Sequence, residues 1–343
     1  MNGKKALVLG GTGAMGVYLV PELASLGYEV QVVSLDEASS DDPRISYIKA
    51  DAKNIDYLRE LMEGGYDAVV DFMLYSTEQF RERHDILLQN TDHYIFLSSY
   101  RVYDGGEVPI TEDTPRLLDA SGDKDFLLTD DYALTKARQE DILQQLAYDN
   151  WTIVRPAITY SKRRFQLVTL EAHIVVARAR QGLTVVLPGA ALSVQGTMSW
   201  AGDVAKLMSR LLFNPGAYRE CFTLATAEHH AWGEIAEFYN EIIGLDYVGA
   251  DTEDYLRMMG SSPAARYQLA YDRLFHRVID NSKVLRVTGL KQADFMPLQR
   301  GLGEELSALP KDTVWRDAGA VWEQMDSYLK GLAKLRLKPP SGV

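Results

Sequence analysis

Residues 6–16 read ALVLGGTGAMG, and the fold follows from how that stretch begins and ends. Four apolar residues, Ala6 to Leu9, run from two lysines into a glycine-rich turn. Beyond it Val17, Leu19, Val20, Leu23 and Leu26 recur at helical spacing. A buried strand, a tight turn and a helix in that order open a dinucleotide-binding unit. The glycines fit either spacing of such a turn, Gly11-Gly13-Gly16 or Gly10-Gly13-Gly16. One permits the turn, one lets backbone approach a pyrophosphate, and one lets the helix pack against the strand. The helix N-terminus then offers unpaired N–H groups and a positive dipole end to phosphates.

The segments that follow keep the same rhythm. Tyr28–Leu35, Ile45–Ile48, Asp67–Phe72, Tyr94–Leu97 and Trp151–Arg155 read as strands, the last ended by Pro156. Ile55–Met62, Gln79–Leu88 and Thr129–Ala147 read as helices between them. Near-continuous apolar runs such as YEVQVVSL mark strands buried on both faces. Strand and helix alternate through short connections, so the expected fold is α/β, a Rossmann-type, doubly wound parallel sheet. Beyond Pro156 the alternation fades: Phe165–Arg180, Gly202–Leu212 and Trp232–Ile243 read as helices, Leu183–Leu187 and Cys221–Leu224 as short strands. The expected division is a dinucleotide-binding domain over 1–155, rejoined by 196–226. Residues 156–195 and 227–343 would form a smaller, mostly helical substrate lobe, with a frayed tail at 334–343.

Bulk properties narrow the setting. The chain has 343 residues, 46% hydrophobic and 24% charged, as in an ordinary globular protein large enough to bury a core unaided. A single cysteine, Cys221, rules out an internal disulfide and fits a reducing, cytoplasmic compartment. No apolar run approaches a membrane span, and the N-terminal run is too short for a signal peptide. The net charge of −12 argues against nucleic acid as a partner. His229-His230 lacks companions at metal spacing, so no metal is expected. A homodimer is compatible with all of this.

Tyr132 and Lys136 lie four apart on a predicted helix, hence on one face. Tyr132 is the only tyrosine followed by a lysine at that spacing. The pair opens the helix after the fifth strand, and Ser98-Ser99 closes that strand at its carboxyl edge, where parallel sheets place ligands.

With these residues the sequence resembles the short-chain dehydrogenase/reductase superfamily, in its extended, NAD-dependent epimerase/dehydratase branch. GGTGAMG, FLSSYRVYD, PITEDTP, YALTK and IVRP carry the resemblance, with WAGDVA at 200–205 and NSKVLRVTGL at 281–290 further on. It implies hydride transfer between a nicotinamide cofactor and a secondary alcohol or ketone, including those of sugars and sugar derivatives. Catalytic roles fall on Ser99, Tyr132 and Lys136. A free tyrosine titrates near ~10, and a lysine ammonium beside a positive nicotinamide ring would favour its phenolate. Cofactor contacts fall on Gly10, Gly11, Thr12, Gly13, Ala14, Met15, Gly16, Ser34, Asp36, Asp51, Ala52, Phe72, Met73, Leu74, Tyr132, Lys136 and Pro156.

Three departures from the branch bear on substrate. The segment between the fourth strand and Ser99 is short, Met73–Ser98, which resembles the atypical branch containing the chloroplast stem-loop-binding proteins. Ile158 stands where epimerases place an asparagine against a nucleotide diphosphate, and Asp104 replaces a glycine. These point to a small-molecule substrate other than a common nucleotide sugar, or one held differently, through Arg163 or Arg164. NAD is expected over NADP, because Asp36 repels a 2′-phosphate and can accept a ribose hydroxyl. NADP stays the alternative, with Ser34 permissive and Arg44 able to fold back. Two rival functions remain: a ketone reductase that consumes its cofactor, and a non-catalytic dinucleotide-sensing or RNA-associated protein.

Overall fold

The computed structural model describes residues 3–315 and 318–336, so the Pro339-Pro340 tail lies outside the described residues. Seven strands form one sheet: β1 (Lys5–Leu9), β2 (Glu29–Ser34), β3 (Ile45–Lys49), β4 (Tyr66–Asp71), β5 (Thr91–Leu97), β6 (Trp151–Pro156) and Glu220–Leu224. From one edge the order is Glu220–Leu224, β6, β5, β4, β1, β2, β3, and every pairing is parallel. The chain starts in the middle, winds out through β2 and β3, then crosses back to β4. That reversal makes the carboxyl ends of β1 and β4 a topological switch point, with Leu9 in register with Asp71.

Both faces of the sheet are covered, which is why its strands read as unbroken apolar runs. Ala6 and Val8 pack with α1 (Gly16–Ser25) and the helix Ala201–Leu211. Leu7 and Leu9 face α2 (Ile55–Glu63), α3 (Thr77–Gln89) and the helix Tyr132–Gln145 through Leu58, Phe80 and Leu143.

Three boundaries differ from the sequence reading for local reasons. Leu26 lies past the end of α1 and is 40% exposed, because the chain turns at Gly27 (φ +89°). The long helix starts at Tyr132 rather than Thr129, because the Asp131 carboxylate accepts the N–H of Ala133 and caps it. Phe165–Arg180 is not one helix: Gln166–Leu167 and Leu170–Glu171 pair as an antiparallel hairpin, and the helix runs only over Ala172–Arg180. Val168, at φ +52°, turns the chain there, and a buried hairpin this short has no period to distinguish it from a helix.

The chain divides into two compact units. The first comprises 1–163, 197–229 and 277–301, and contains the whole sheet. The second comprises 164–196, 230–276 and 302–343. Within it Val185–Pro188 pairs in parallel with Tyr247–Ala250, the helix Trp232–Ile243 ends at Gly244, and the buried Arg178 meets Asp326 at 2.6 Å. Among the described residues no helix is long and apolar enough to cross a membrane.

His93 gives the first unit a measurable pH response. Its Nδ1 accepts the Phe213 N–H at 2.8 Å, and Nε2 lies 2.8 Å from the Thr152 hydroxyl. That hydroxyl donates to the Ala217 carbonyl, so Nε2 carries the ring proton and His93 is neutral. Burial pushes its pKa from 6.5 down to about 4. The folded value lies below the unfolded one, so this contribution is complete above about 6.5 and is lost as pH falls toward 4. The loss approaches about 3 kcal/mol. Melting temperature should therefore drop more steeply from pH 6.5 to 4.5 in the wild type than in His93→Gln; parallel curves would contradict it.

Candidate active site

The glycine turn is built to two standards. Gly11 and Gly16 are required by the protein itself: a Cβ on Gly11 would sit 2.8 Å from Val8 and Val32, and one on Gly16 would sit 2.2 Å from the Gly11 carbonyl. Gly10 takes φ +72°, with Met73 and Phe72 closest to it. Gly13 is different. It is exposed, adopts no positive φ, and a Cβ there would meet only the Gly10 carbonyl at 3.5 Å. The N–H groups of Ala14 and Met15 meet no acceptor among the described residues, and α1 begins without a side-chain cap. An anion approaching over Gly13 would find backbone donors and a helix dipole waiting.

Hydrogen bonds bring Ser34 and Asp36 to this turn. Thr12 Oγ1 lies 2.7 Å from Ser34 Oγ and donates to Asp36 Oδ2 at 2.6 Å, while the Asp36 N–H donates to Ser34 Oγ. Arg44 is held away by Asp42, to which it makes bonds of 2.9 and 2.7 Å. One cation escapes a scan of the local sequence: Lys49, opposite Ser34 on β3, reaches Glu37 at 3.5 Å. Asp51 is exposed and accepts from Lys53 in its own loop, so nothing ties it to the turn. Ala52 is buried, Leu74 is 56% exposed, and Pro156 is the buried last residue of β6.

Ser99 follows β5. Its Oγ accepts the Arg101 N–H at 3.2 Å, which leaves its own proton unspent among the described residues. The neighbouring Ser98 instead donates to Glu140 and is almost fully buried. Of the two serines, therefore, only Ser99 can offer a proton to a ligand.

Tyr132 is the first residue of its helix and half-buried, with the Arg101 guanidinium 5.3 Å from its ring centre. Lys136, one turn on, is 1% exposed and lies 4.8 Å from the Phe96 ring of β5. Its Nζ has no hydrogen-bond partner among the described residues. Burial lowers its pKa to about 8, against the raising effect of the Asp71 and Glu140 carboxylates. A buried ammonium without a hydrogen-bond partner among the described residues is costly, and an acceptor on a bound ligand would offset that cost.

Behind this row lies a charge network that single-sequence reading missed. Glu140, fully buried, is held by Arg155 through bonds of 2.9 and 2.7 Å and by Arg116 at 3.3 Å. Asp71, at the end of β4, is 1% exposed; burial raises its pKa while bonds from the Met73 N–H and the Tyr94 hydroxyl resist that rise. For Asp71 the signal available in the sequence is a carboxylate set between the apolar Ala68–Val70 and Phe72. Arg163 is exposed and Arg164 pairs with Glu171 at 3.0 Å, so Arg164 is already engaged. Ile158 is 4% exposed on a short strand paired with Met198–Trp200.

A parallel doubly wound sheet with a glycine turn at its switch point defines a Rossmann-type nucleotide-binding protein. The model of the NAD dependent epimerase/dehydratase family matches residues 6–220, and the chain belongs to that family. No curated protein matches in sequence. Among solved structures it is similar to an epimerase of Methanothermobacter thermautotrophicus, with TM-score 0.69 and 16% identity over 89% of this chain and 92% of that one. It is also similar to the Bordetella bronchiseptica enzyme WbmH, solved with NAD+, with TM-score 0.68 and 15% identity over 91% and 100%. A third is the Thermus thermophilus UDP-glucose 4-epimerase, solved with NAD, with TM-score 0.66 and 18% identity over 90% and 100%. At these identities the likeness is one of fold.

NAD is the family's cofactor, and three features fit it: the exposed Gly13, the idle N–H groups of Ala14 and Met15, and the partnerless Lys136 Nζ. The Asp36 carboxylate lies beside the turn, where it would oppose a 2′-phosphate and so favour NAD over NADP. Removing one charge beside a 2′-phosphate is worth about 1.4 kcal/mol or more, at least a tenfold change in affinity. Asp36→Ser should shift the NADP-to-NAD affinity ratio by at least about tenfold toward NADP in calorimetric titration. A ratio unchanged by the substitution would remove Asp36 from cofactor discrimination.

Proposed function

We propose that this protein is an NAD-dependent epimerase or dehydratase that oxidises a secondary alcohol, of a sugar or sugar derivative, and reduces the product again within one cycle. The observation that carries the reading is the buried Lys136 ammonium, without a hydrogen-bond partner among the described residues and one helical turn from Tyr132. The Gly10–Gly16 turn would hold the pyrophosphate, Asp36 the adenosine ribose, and Lys136 the nicotinamide ribose. Bound NAD supplies the hydride acceptor and donor. Tyr132 takes the hydroxyl proton at its phenolic oxygen and later returns it, while Lys136 favours the phenolate by charge. Ser99 donates its unspent proton to the substrate oxygen and orients it.

The second unit would supply the substrate lobe. Ile158, apolar and buried, cannot offer an amide to a diphosphate. This favours a substrate other than a common nucleotide sugar, with the exposed Arg163 available for an anionic group.

The reading is tested by following cofactor absorbance during steady turnover of a panel of sugars and sugar derivatives. An epimerase or dehydratase converts substrate with no net change in the cofactor spectrum. Cofactor consumed in proportion to product would identify a ketone reductase instead.

A further inference from the structure

Arg101 ties together two pieces of the candidate site that are far apart in sequence. Its backbone N–H donates to Ser99 Oγ at 3.2 Å, so that Ser99 caps the short turn Tyr100–Val102 following β5. Its guanidinium lies 3.7 Å from the Asp131 carboxylate and 5.3 Å from the centre of the Tyr132 ring. Asp131 is itself engaged, accepting the Ala133 N–H at 2.9 Å as the cap of the Tyr132 helix. Both partners are shielded, with side chains 15% and 5% exposed.

We propose that Arg101 is a positioning residue, which fixes the Tyr132 ring relative to Ser99 and holds a permanent cation against it. Tyr132 needs such a device because it is the first residue of its helix. No preceding helical turn restricts its side chain, as one would in mid-helix. A planar guanidinium suits this role, since it can stack on a ring and meet a carboxylate in its own plane at once. It also stays charged at every accessible pH, whereas burial makes Lys136 a weaker cation as pH passes about 8. Charged groups of the described residues near Tyr132 include Arg101 from the turn after β5, Asp131 at the cap and Lys136 one helical turn on. Asp131 opposes the two cations, but its carboxylate is partly spent on the Ala133 N–H.

This inference rests on Tyr132 being the acid–base, yet its test reads the phenol directly and needs no substrate. Tyrosinate absorbance would be titrated in the full-length protein without cofactor. Subtracting Tyr132→Phe isolates Tyr132, and the same subtraction is made in the Arg101→Gln and Arg101→Lys backgrounds. Arg101→Gln should raise the Tyr132 midpoint by about one pH unit, and Arg101→Lys should restore at least half of that shift. Melting curves on each protein confirm that the titrated species is folded. An unchanged midpoint in a folded Arg101→Gln protein would overturn the proposal, as would a shift that Arg101→Lys leaves uncorrected. Should Tyr132→Phe prove fully active on a substrate while the midpoint shifts as expected, the acid–base assignment fails and the Arg101–Tyr132 coupling stands.

Discussion

Replacing Tyr132 by phenylalanine should lower turnover by a factor on the order of 10²–10⁴ while leaving the fold and the cofactor in place. The substitution keeps the ring that faces Arg101, and with it the contact between the turn after β5 and the helix. It removes only the phenolic oxygen, the one atom of that side chain able to take up and return a proton. At most one hydrogen bond is lost from stability, about 1 kcal/mol. Affinity for NAD should hold within a few-fold, since in the proposed mechanism the Gly10–Gly16 turn and Lys136 would supply the grip. Turnover on a confirmed substrate, melting temperature and calorimetric NAD affinity check the three parts separately. A protein that only senses dinucleotide has no turnover to lose. Unimpaired turnover in Tyr132→Phe would leave the proposed mechanism without its acid–base.

What could be read in the sequence depended on how local the cause was. β1, the turn and α1 were legible because three constraints follow one another between Ala6 and Leu26: an apolar run, glycines where Cβ atoms would collide, and a helical period. Two of those collisions, at Gly11 and Gly16, are visible in the structure. Gly13 belongs to the same pattern for a different reason, and only coordinates separate a glycine the fold needs from one a ligand would need. The second unit was harder to read. Phe165–Arg180 has buried apolar residues throughout, and a hairpin of two-residue strands leaves no alternation to detect.

The polar interior was less legible still. Glu140, Arg155 and Arg116 come from distant parts of the chain, and their pairing depends on sheet order, which no window of sequence encodes. Arg101 sat inside the motif FLSSYRVYD but, in sequence, has no visible relation to Asp131 or Tyr132, thirty residues on. Ser99 could be distinguished from Ser98 only by resemblance. In the structure the distinction is physical, because Ser98 spends its proton on Glu140.

Lys136→Met should separate stability from function with opposite signs. The wild-type side chain holds an ammonium in a buried position where no described residue hydrogen-bonds to it. Such a group destabilises the cofactor-free protein, and an apolar side chain of similar length relieves that cost. The variant without NAD should melt at or above the wild-type temperature near neutral pH. Because burial places the folded pKa near 8, below the usual lysine value of 10.5, wild-type stability should rise as pH climbs through that interval. The advantage of Lys136→Met should therefore shrink between pH 8 and 10.5 and be largest below 8. Asp71 and Glu140 lose a favourable charge in the variant, which trims the gain without reversing it: Asp71 is already driven toward its neutral form by burial, and Glu140 keeps both arginines. Function should move the other way. Losing a charged hydrogen bond to the cofactor costs about 1.5–3 kcal/mol, so NAD affinity should fall roughly 10- to 150-fold. Turnover at saturating NAD should fall as well, because Tyr132 loses one of its two neighbouring cations. Paired melting curves with and without NAD give both signs in one experiment: a raised melting point without cofactor and a reduced upward shift with it. A variant that melts well below the wild type without NAD would mean that Lys136 serves the fold and not the cofactor.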